Sequence, residues 1–148
     1  FTKENFSLYH KGGNLGASLR LAKDIMVTGN KMPTVAHNKN FNEALRVMNK
    51  KRLGVVVITK KKFIKSLITD GDLRRAIHIK SKNDNLNKIA KKYPLVINEN
   101  MPASKALALM SDKKITSLLV VSDKDYLKKN KVLKGIIHIH FLLQNEIK

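Results

Sequence analysis

The chain has 148 residues, of which 43% are apolar, with no cysteine and a formal net charge of +19. This length and composition predict one folded domain, or two small units that share a core. The absence of cysteine excludes disulfides, thiolate catalysis and cysteine zinc sites. No apolar run approaches the roughly 18 residues that a transmembrane helix needs, so no membrane partner is predicted.

The positive charge comes mainly from lysines, which are spread from Lys3 to Lys148 and concentrate in predicted turns. Nucleic-acid sites favour clustered basic side chains, with arginine and aromatic residues for bidentate and stacking contacts. This chain has no tryptophan, three tyrosines and five phenylalanines. The pattern indicates solvated lysine and argues against nucleic acid as a partner, although a polyanion-binding protein remains an alternative.

The N-terminal stretch begins at Phe1 rather than Met and has no signal-peptide pattern. We therefore expect a fragment of a longer protein, and the absence of cysteine indicates a cytoplasmic location. His10 precedes a glycine-rich run, "KGGNLG", which matches a phosphate-binding loop only loosely because no strand precedes it. From these residues alone His10 is a loop residue.

The rest of the chain holds two copies of one unit. The apolar run "GVVVIT" from Gly54 matches "TSLLVV" from Thr116 at an offset of 62 residues. The segment "KFIKSLIT", which ends at Thr69, matches "KVLKGIIH", which ends at His138, at an offset of 69. The seven extra residues fall around "DKDYLKKN", a charged connection that can lengthen at little thermodynamic cost.

Each copy predicts the element order β-α-β-β-α after a proline, Pro33 or Pro94. The first helix of each copy is expected to begin at Asn40 or Pro102. Apolar residues recur at helical spacing in both helices: Phe41, Ala44, Leu45 and Met48, then Ala103, Ala106, Leu107 and Met110. Buried strands are predicted at Val55–Ile58 and Leu118–Val121. Because one copy cannot cover both faces of its small sheet, we expect the two copies to pack together in an α/β fold.

The stretch "SLITDGDLRR" (Ser66–Arg75) places Thr69, Asp70 and Asp72 where a strand passes into a helix. These residues suit a turn and a helix N-cap, and Asp72 is a candidate cap. They equally suit a ligand site, because backbone N–H groups at a helix start attract anions. Arg74 and Arg75 enter the first helical turn, where one of them could help to hold an acidic ligand.

The second copy ends differently, with "GIIHIHFLLQ". His138 stands where Thr69 stands in the first copy, and Phe141 stands where Asp72 does. His138 and His140 share one face of a strand, but no third metal ligand is evident, so no metal site is predicted. An anion pocket lined by the histidines and a polar strand end both remain open.

These patterns resemble a known family. The ending "SLITDGDLRRAI" is similar to the "GIFTDGDLRRAL"-type ending of a CBS domain, the module named after cystathionine β-synthase, and two such domains form the usual tandem pair. The stretch from Tyr9 to Val35 resembles the segment between the sugar isomerase (SIS) domain and the CBS pair in arabinose 5-phosphate isomerases. The resemblance implies a linker at 1–24, CBS repeats at 25–85 and 86–148, and a missing SIS domain before Phe1. It also implies a linker helix around Leu15–Ile25.

The resemblance also implies functions. The parent enzyme would interconvert ribulose 5-phosphate and arabinose 5-phosphate for Kdo, a sugar of lipopolysaccharide and capsule, without a catalytic cofactor. His10 would act in catalysis in the full-length enzyme, and the pair would bind a regulatory nucleotide: CMP-Kdo, AMP or ATP. Thr69 would contact its phosphate and Asp72 its ribose.

Self-association is the remaining expectation. CBS pairs bury apolar helix faces, here those of Ile77 and Leu142, against a second pair, which implies a dimer of pairs and a tetramer of the full-length enzyme. A structural oligomerisation module that binds no ligand is the alternative function.

Overall fold

A computed structural model describes residues 20–77, 86, 89–92 and 94–140. The chain divides into two compact units. The first, called here the repeat-1 unit, contains Asn30–Pro94 and Asn130–Leu133. The second, the repeat-2 unit, contains the described residues of 20–29, 95–129 and 134–140. Helices and two small sheets confirm the predicted α/β class.

The regular elements follow in chain order. They are α1 (Ala22–Ile25), β1 (Thr34–Ala36), α2 (Phe41–Lys51), β2 (Val55–Lys60), β3 (Phe63–Thr69), α3 (Asp70–Ile77), β4 (Lys91–Lys92), β5 (Val96–Asn98), α4 (Ala103–Lys113), β6 (Ser117–Val121) and β7 (Gly135–His138). Helix α1 occupies the end of the helix expected around Leu15–Ile25, and 15–19 lie outside the described residues. In the part of the chain described, no helix has the length and apolar character needed to cross a membrane.

The repeat-1 unit contains a four-stranded sheet in the order β1-β2-β3-β4, with β1 parallel to β2 and the other pairs antiparallel. Lys61 and Lys62 join β2 to β3 with φ values of 52° and 75°. Positive φ at both central residues gives the tight turn whose twist matches that of the flanking strands. Strand β2 lies at the centre of the core because Val55–Ile58 are all buried, as predicted.

Helices α2 and α4 are equivalent elements of the two repeats: each has 11 residues, and their first residues are 62 positions apart. The Asn40 side chain caps α2 by accepting a hydrogen bond from the Glu43 N–H at 3.1 Å, and Pro102 precedes α4. Both helices end at a residue with left-handed backbone, Arg52 (φ 58°) and Lys114 (φ 56°). The predicted helix starts are therefore confirmed. All the predicted apolar positions are buried except Leu45, which is partly buried.

The repeat-2 unit contains a three-stranded sheet in the order β5-β6-β7, with β5 parallel and β7 antiparallel to β6. These three strands repeat the β1-β2-β3 arrangement of the repeat-1 unit. The core contains residues from α4, β6 and β7, and it also contains Ala22 and Ile25 of α1. The N-terminal segment therefore helps to build the second unit.

Backbone hydrogen bonds attach the N-terminal segment, residues 20–29, to the rest of the repeat-2 unit. Ala22 N–H donates to the Met101 carbonyl at 2.8 Å, and Val27 N–H donates to the Ile136 carbonyl at 2.8 Å. Ala22 is fully buried. The contact pattern thus groups 25–29 with the second repeat, whereas the family resemblance implied a first repeat at 25–85.

Candidate functional site

Thr69 and Asp72 form a reciprocal pair at the junction of β3 and α3. The Thr69 N–H donates to Asp72 Oδ2 at 2.9 Å, and the Asp72 N–H donates to Thr69 Oγ1 at 3.1 Å. This is a capping box in which Thr69 is the N-cap and Asp72 stands three residues later. The sequence offered Asp72 as the candidate cap, and the structure assigns that position to Thr69.

Arg75 completes the junction. Its Nη2 donates to Asp72 Oδ1 at 2.6 Å, although the Arg75 side chain is 67% exposed and that of Asp72 is 8% exposed. A methyl group added to Gly71 would lie 3.4 Å from Arg75 Nη1, so the guanidinium folds over the turn. A buried carboxylate is thus hydrogen-bonded to a cation that faces solvent. Such charge-assisted hydrogen bonds are short and strong.

Asp70 and Arg74 lie on the outer side of the same turn. Arg74 Nη2 is 3.2 Å from Asp70 Oδ2, and both side chains are more than half exposed. An ion pair in this setting contributes little to stability because water and salt screen it. The two neighbouring carboxylates therefore have different environments: Asp72 is buried and Asp70 is exposed.

A surface cavity of about 420 Å³ lies beside Asp70 in the repeat-1 unit. The end of α2, the start of β2 and the start of α3 line it with Met48, Asn49, Arg52, Gly54 and Asp70. The Asp70 N–H donates to the Gly54 carbonyl at 3.0 Å and holds two of these walls together. The volume lies within the range of small-molecule sites, which is roughly 300–1,000 Å³.

The sequence did not identify three residues of this cavity: Met48, Asn49 and Arg52. Helical spacing predicts that Met48 belongs to the core, and the residue is indeed buried. The left-handed residues Arg52 and Gly54 mark the end of a helix, a signal that predicts a turn but not a cavity.

The junction retains hydrogen-bonding capacity for a ligand. Thr69 Oγ1 accepts from the Asp72 N–H, which leaves the hydroxyl hydrogen to donate. The Asp72 carboxylate accepts from Thr69 and Arg75, and a carboxylate has about four lone-pair positions. The turn therefore offers a donor suited to a phosphate oxygen, an acceptor suited to sugar hydroxyls and a nearby guanidinium.

The two predicted histidines lie together in the repeat-2 unit, but the prediction that they share one face of a strand is wrong. Strand β7 ends at His138, and His140 lies in a helical turn that follows it. The ring centroids of His138 and His140 are 4.7 Å apart and the rings are stacked with an interplanar angle of 25°. The His140 N–H donates to His138 Nδ1 at 3.2 Å. Burial of the ring, followed by the charge of His140, lowers the pKa of His138 from its ordinary value of 6.5. Within residues 20–77, 86, 89–92 and 94–140, no group of three potential metal ligands occurs.

Three residues named from the sequence cannot be placed. His10, Phe141 and Leu142 lie outside the described residues. The structure thus brings Thr69, Asp70, Asp72, Arg74 and Arg75 to one turn of the repeat-1 unit, and His138 and His140 to one strand end of the repeat-2 unit.

Comparison with curated proteins finds relatives that are longer than this chain. An uncharacterised protein of Rickettsia prowazekii is 41% identical over 144 residues, which cover 97% of this chain and 43% of that protein. The arabinose 5-phosphate isomerase KdsD of Yersinia pestis is 38% identical over 148 residues, with the same two coverages. The chain therefore spans less than half the length of these relatives.

Two solved structures with the same fold contain a nucleotide. The CBS domain of a bacterial CNNM/CorC family Mg²⁺ transporter in complex with ATP has a TM-score of 0.72 at 15% identity, covering 97% of this chain and 96% of that one. CBSX2 in complex with AMP has a TM-score of 0.70 at 16% identity, covering 85% and 95%. At these identities the likeness establishes the fold.

The family model of the CBS domain matches this chain twice, at residues 22–79 and 86–140. The two matches include the β3–α3 junction and the strand that ends at His138. They agree with the two sheets and with the equivalent helices α2 and α4. The chain belongs to the CBS domain family, as a tandem pair of these domains.

Proposed function

We propose that this chain is the regulatory CBS pair of an arabinose 5-phosphate isomerase and that it binds a nucleotide or nucleotide-sugar. Similarity to an enzyme of that name and the nucleotides in structures of this fold support the proposal. The observation that carries it is the junction of Thr69, Asp72 and Arg75, where a hydroxyl, a buried carboxylate and a guanidinium meet. The proposal includes a cytoplasmic location and a role in Kdo supply for lipopolysaccharide or capsule.

Each group at the junction has a role in this proposal. The Asp72 carboxylate accepts hydrogen bonds from the vicinal hydroxyls of a ribose, as acidic residues do in dinucleotide-binding folds. The Thr69 hydroxyl donates to a phosphate oxygen. Arg75, mostly exposed and held by Asp72, adds positive charge beside the same phosphate, and Arg74 adds a second charge on the outer side. The cavity beside Asp70 provides adjacent volume.

A thermal-shift panel of CMP-Kdo, CMP, AMP and ATP tests the proposal directly. A ligand that binds only the folded chain adds RT ln(1 + [L]/Kd) to the free energy of unfolding, about 2.7 kcal/mol at a concentration of 100 Kd, and so raises the Tm. We expect at least one member to raise the Tm and the increase to grow with concentration. If none does so at millimolar concentration, the result contradicts the proposal and favours the alternatives, a structural oligomerisation module or a polyanion-binding protein.

We expect the purified chain to have no isomerase activity, whatever its ligand. The curated relatives are more than twice as long, and the proposal places the sugar phosphate site in the part that this chain lacks. His10 acts in catalysis only in the full-length enzyme. A coupled assay for conversion of arabinose 5-phosphate by this chain alone checks the expectation, and measurable turnover contradicts it.

We also expect the chain to form a dimer of CBS pairs. Ile77 ends α3 with 52% of its surface exposed, and a second pair would cover it. Light scattering at tens of micromolar should give the mass of two chains, and Ile77→Lys should reduce it toward that of one. A wild-type mass of one chain at that concentration contradicts the expectation.

A further inference from the structure

The loop that follows β6, residues 122–129 of the repeat-2 unit, exposes a leucine almost completely. Leu127 has 92% of its surface exposed, the highest value among the exposed large apolar residues of the described structure, and Tyr126 before it has 36% exposed. In the first repeat, the equivalent connection is only the turn Lys61–Lys62, which contains no apolar residue. A single exposed leucine is common on protein surfaces, so the shape and charge of the 122–129 loop decide what it can bind.

Hydrogen bonds fix the base of the 122–129 loop next to the end of β5. The Asp123 N–H donates to Glu99 Oε2 at 2.8 Å, and Asn98 Nδ2 donates to Asp123 Oδ1 at 2.8 Å. Within the loop, the Asp125 N–H donates to Ser122 Oγ at 3.1 Å. The tip is therefore ordered before any partner binds, and an ordered contact loses less conformational entropy on binding.

The charge around the tip is positive. Three lysines of the loop are exposed: Lys124, Lys128 and Lys129. Lys128 Nζ lies 3.4 Å from Asp125 Oδ1, but 52% of the lysine side chain is exposed and only 16% of the aspartate side chain. No acidic residue occurs in the sequence from Tyr126 to His140. A partner that fits this tip is therefore anionic and also takes up an apolar side chain.

A lipid bilayer with anionic headgroups meets both requirements. Its negative surface attracts lysines, and its interfacial layer takes up leucine side chains and the amphipathic ring of tyrosine. Nucleic acid fits less well, because it favours arginine and several stacking rings, and no arginine follows Arg75 in the sequence. Small-molecule sites are concave, whereas Leu127 is almost fully exposed.

We propose that the 122–129 loop makes a peripheral contact with an anionic lipid surface. Leu127 enters the boundary between headgroups and acyl chains, Tyr126 lies at the interface, and the three lysines lie beside the headgroups. The contact goes beyond the proposed nucleotide binding and does not depend on it. The sequence predicted no membrane partner because no apolar run could span a bilayer, but a loop that binds at the surface needs no such run.

Leu127→Trp tests insertion directly, because the chain has no other tryptophan. We expect vesicles of equimolar phosphatidylcholine and phosphatidylglycerol to shift its emission to shorter wavelength. Brominated acyl chains in the same vesicles should quench it. Vesicles of phosphatidylcholine alone should cause neither change, because they carry no net charge that attracts the lysines. No shift and no quenching with the anionic vesicles would overturn the inference.

Phe63→Trp is the matched control. Phe63 directly follows the Lys61–Lys62 turn and is 39% exposed, so this tryptophan also lies beside lysines. That turn has no leucine at its tip, and we therefore expect much weaker quenching than at Leu127→Trp. Equal quenching at the two positions would contradict the role of the loop, because the net charge of the whole chain would then account for binding.

Vesicle cosedimentation of the 148-residue chain measures what each part of the loop contributes. At about 0.15 M salt, Leu127→Ser should weaken binding to the anionic vesicles about tenfold, the scale of losing one buried leucine. Replacing Lys128 and Lys129 with glutamine should weaken it about fivefold for each lysine, and the same change at Lys61 and Lys62 should weaken it less. Leu127→Ser should unfold at the same urea concentration as the wild type, because the side chain is exposed. Unchanged affinity in Leu127→Ser, or equal losses in the two lysine pairs, contradicts the inference.

Discussion

Replacing Asp72 with alanine should remove the thermal shift that the best nucleotide ligand gives. The carboxylate is buried, and the Thr69 N–H and Arg75 already orient it, so a ligand finds it in place. Losing hydrogen bonds from a ribose to a charged group costs roughly 1.5–3 kcal/mol of binding free energy. This corresponds to an affinity loss of about tenfold or more. Isothermal titration or ligand-dependent Tm measures it.

The variant also tests the purely structural role of Asp72. If the residue only completes the capping box, alanine should lower the free energy of unfolding by about 1 kcal/mol and leave nucleotide affinity unchanged. Asp72→Asn sharpens the comparison, because its amide oxygen can still accept the Thr69 N–H while the negative charge is lost. Unchanged affinity in this variant would show that the nucleotide is held elsewhere.

Asp70→Asn is the control for charge alone. It removes one negative charge from the same turn, but the Asp70 side chain is 55% exposed and its pairing with Arg74 is a surface contact. We expect a smaller loss of nucleotide affinity than in Asp72→Asn, because Asp70 is not held by the capping box. Equal losses in both variants would place the contact at the cavity rather than at the buried carboxylate.

The repeat, the helices and the central strands could be predicted because their signals are local. Asn40 caps α2, and apolar residues recur at helical spacing in α2 and α4. The run Val55–Ile58 is buried on both faces, which an uninterrupted apolar segment predicts. Thr69 and Asp72 also carried a local signal, but their residue types suit a capping box and a ligand equally. Geometry was needed to show that the capping hydrogen bonds still leave a donor and acceptor positions.

Non-local contacts could not be predicted in the same way. Residues 20–27 lie at the start of the first CBS match in the sequence, yet they pack with the second repeat, and no periodicity in this short stretch identifies its partner. The cavity wall at Met48, Asn49 and Arg52 exists because the end of α2 lies beside the start of α3.

The attachment of this N-terminal segment predicts a large stability effect at Gly135. A Cβ added at Gly135 would lie 2.6 Å from Met26 Cγ and 2.9 Å from Met26 Cβ, and it would also clash with Met26 Sδ. Met26 Cβ is fixed close to the backbone, so rotation of the side chain alone cannot relieve the contact. Gly135→Ala should therefore lower the free energy of unfolding by about 1–3 kcal/mol, the usual cost of overpacking.

A double-mutant cycle with Met26→Ala tests the cause. Removing Cγ and Sδ of Met26 leaves one close contact, so the double variant should be more stable than the sum of the two single effects predicts, by about 0.5–3 kcal/mol. Gly54→Ala is the matched control: a Cβ there meets nothing within 4 Å, but φ is +71°, so its cost comes from the backbone. That cost should add to the effect of Met26→Ala without coupling. Urea unfolding of the three single variants and the two double variants with Met26→Ala measures each free energy of unfolding. If Met26→Ala does not reduce the cost of Gly135→Ala, residues 20–27 are not packed against β7.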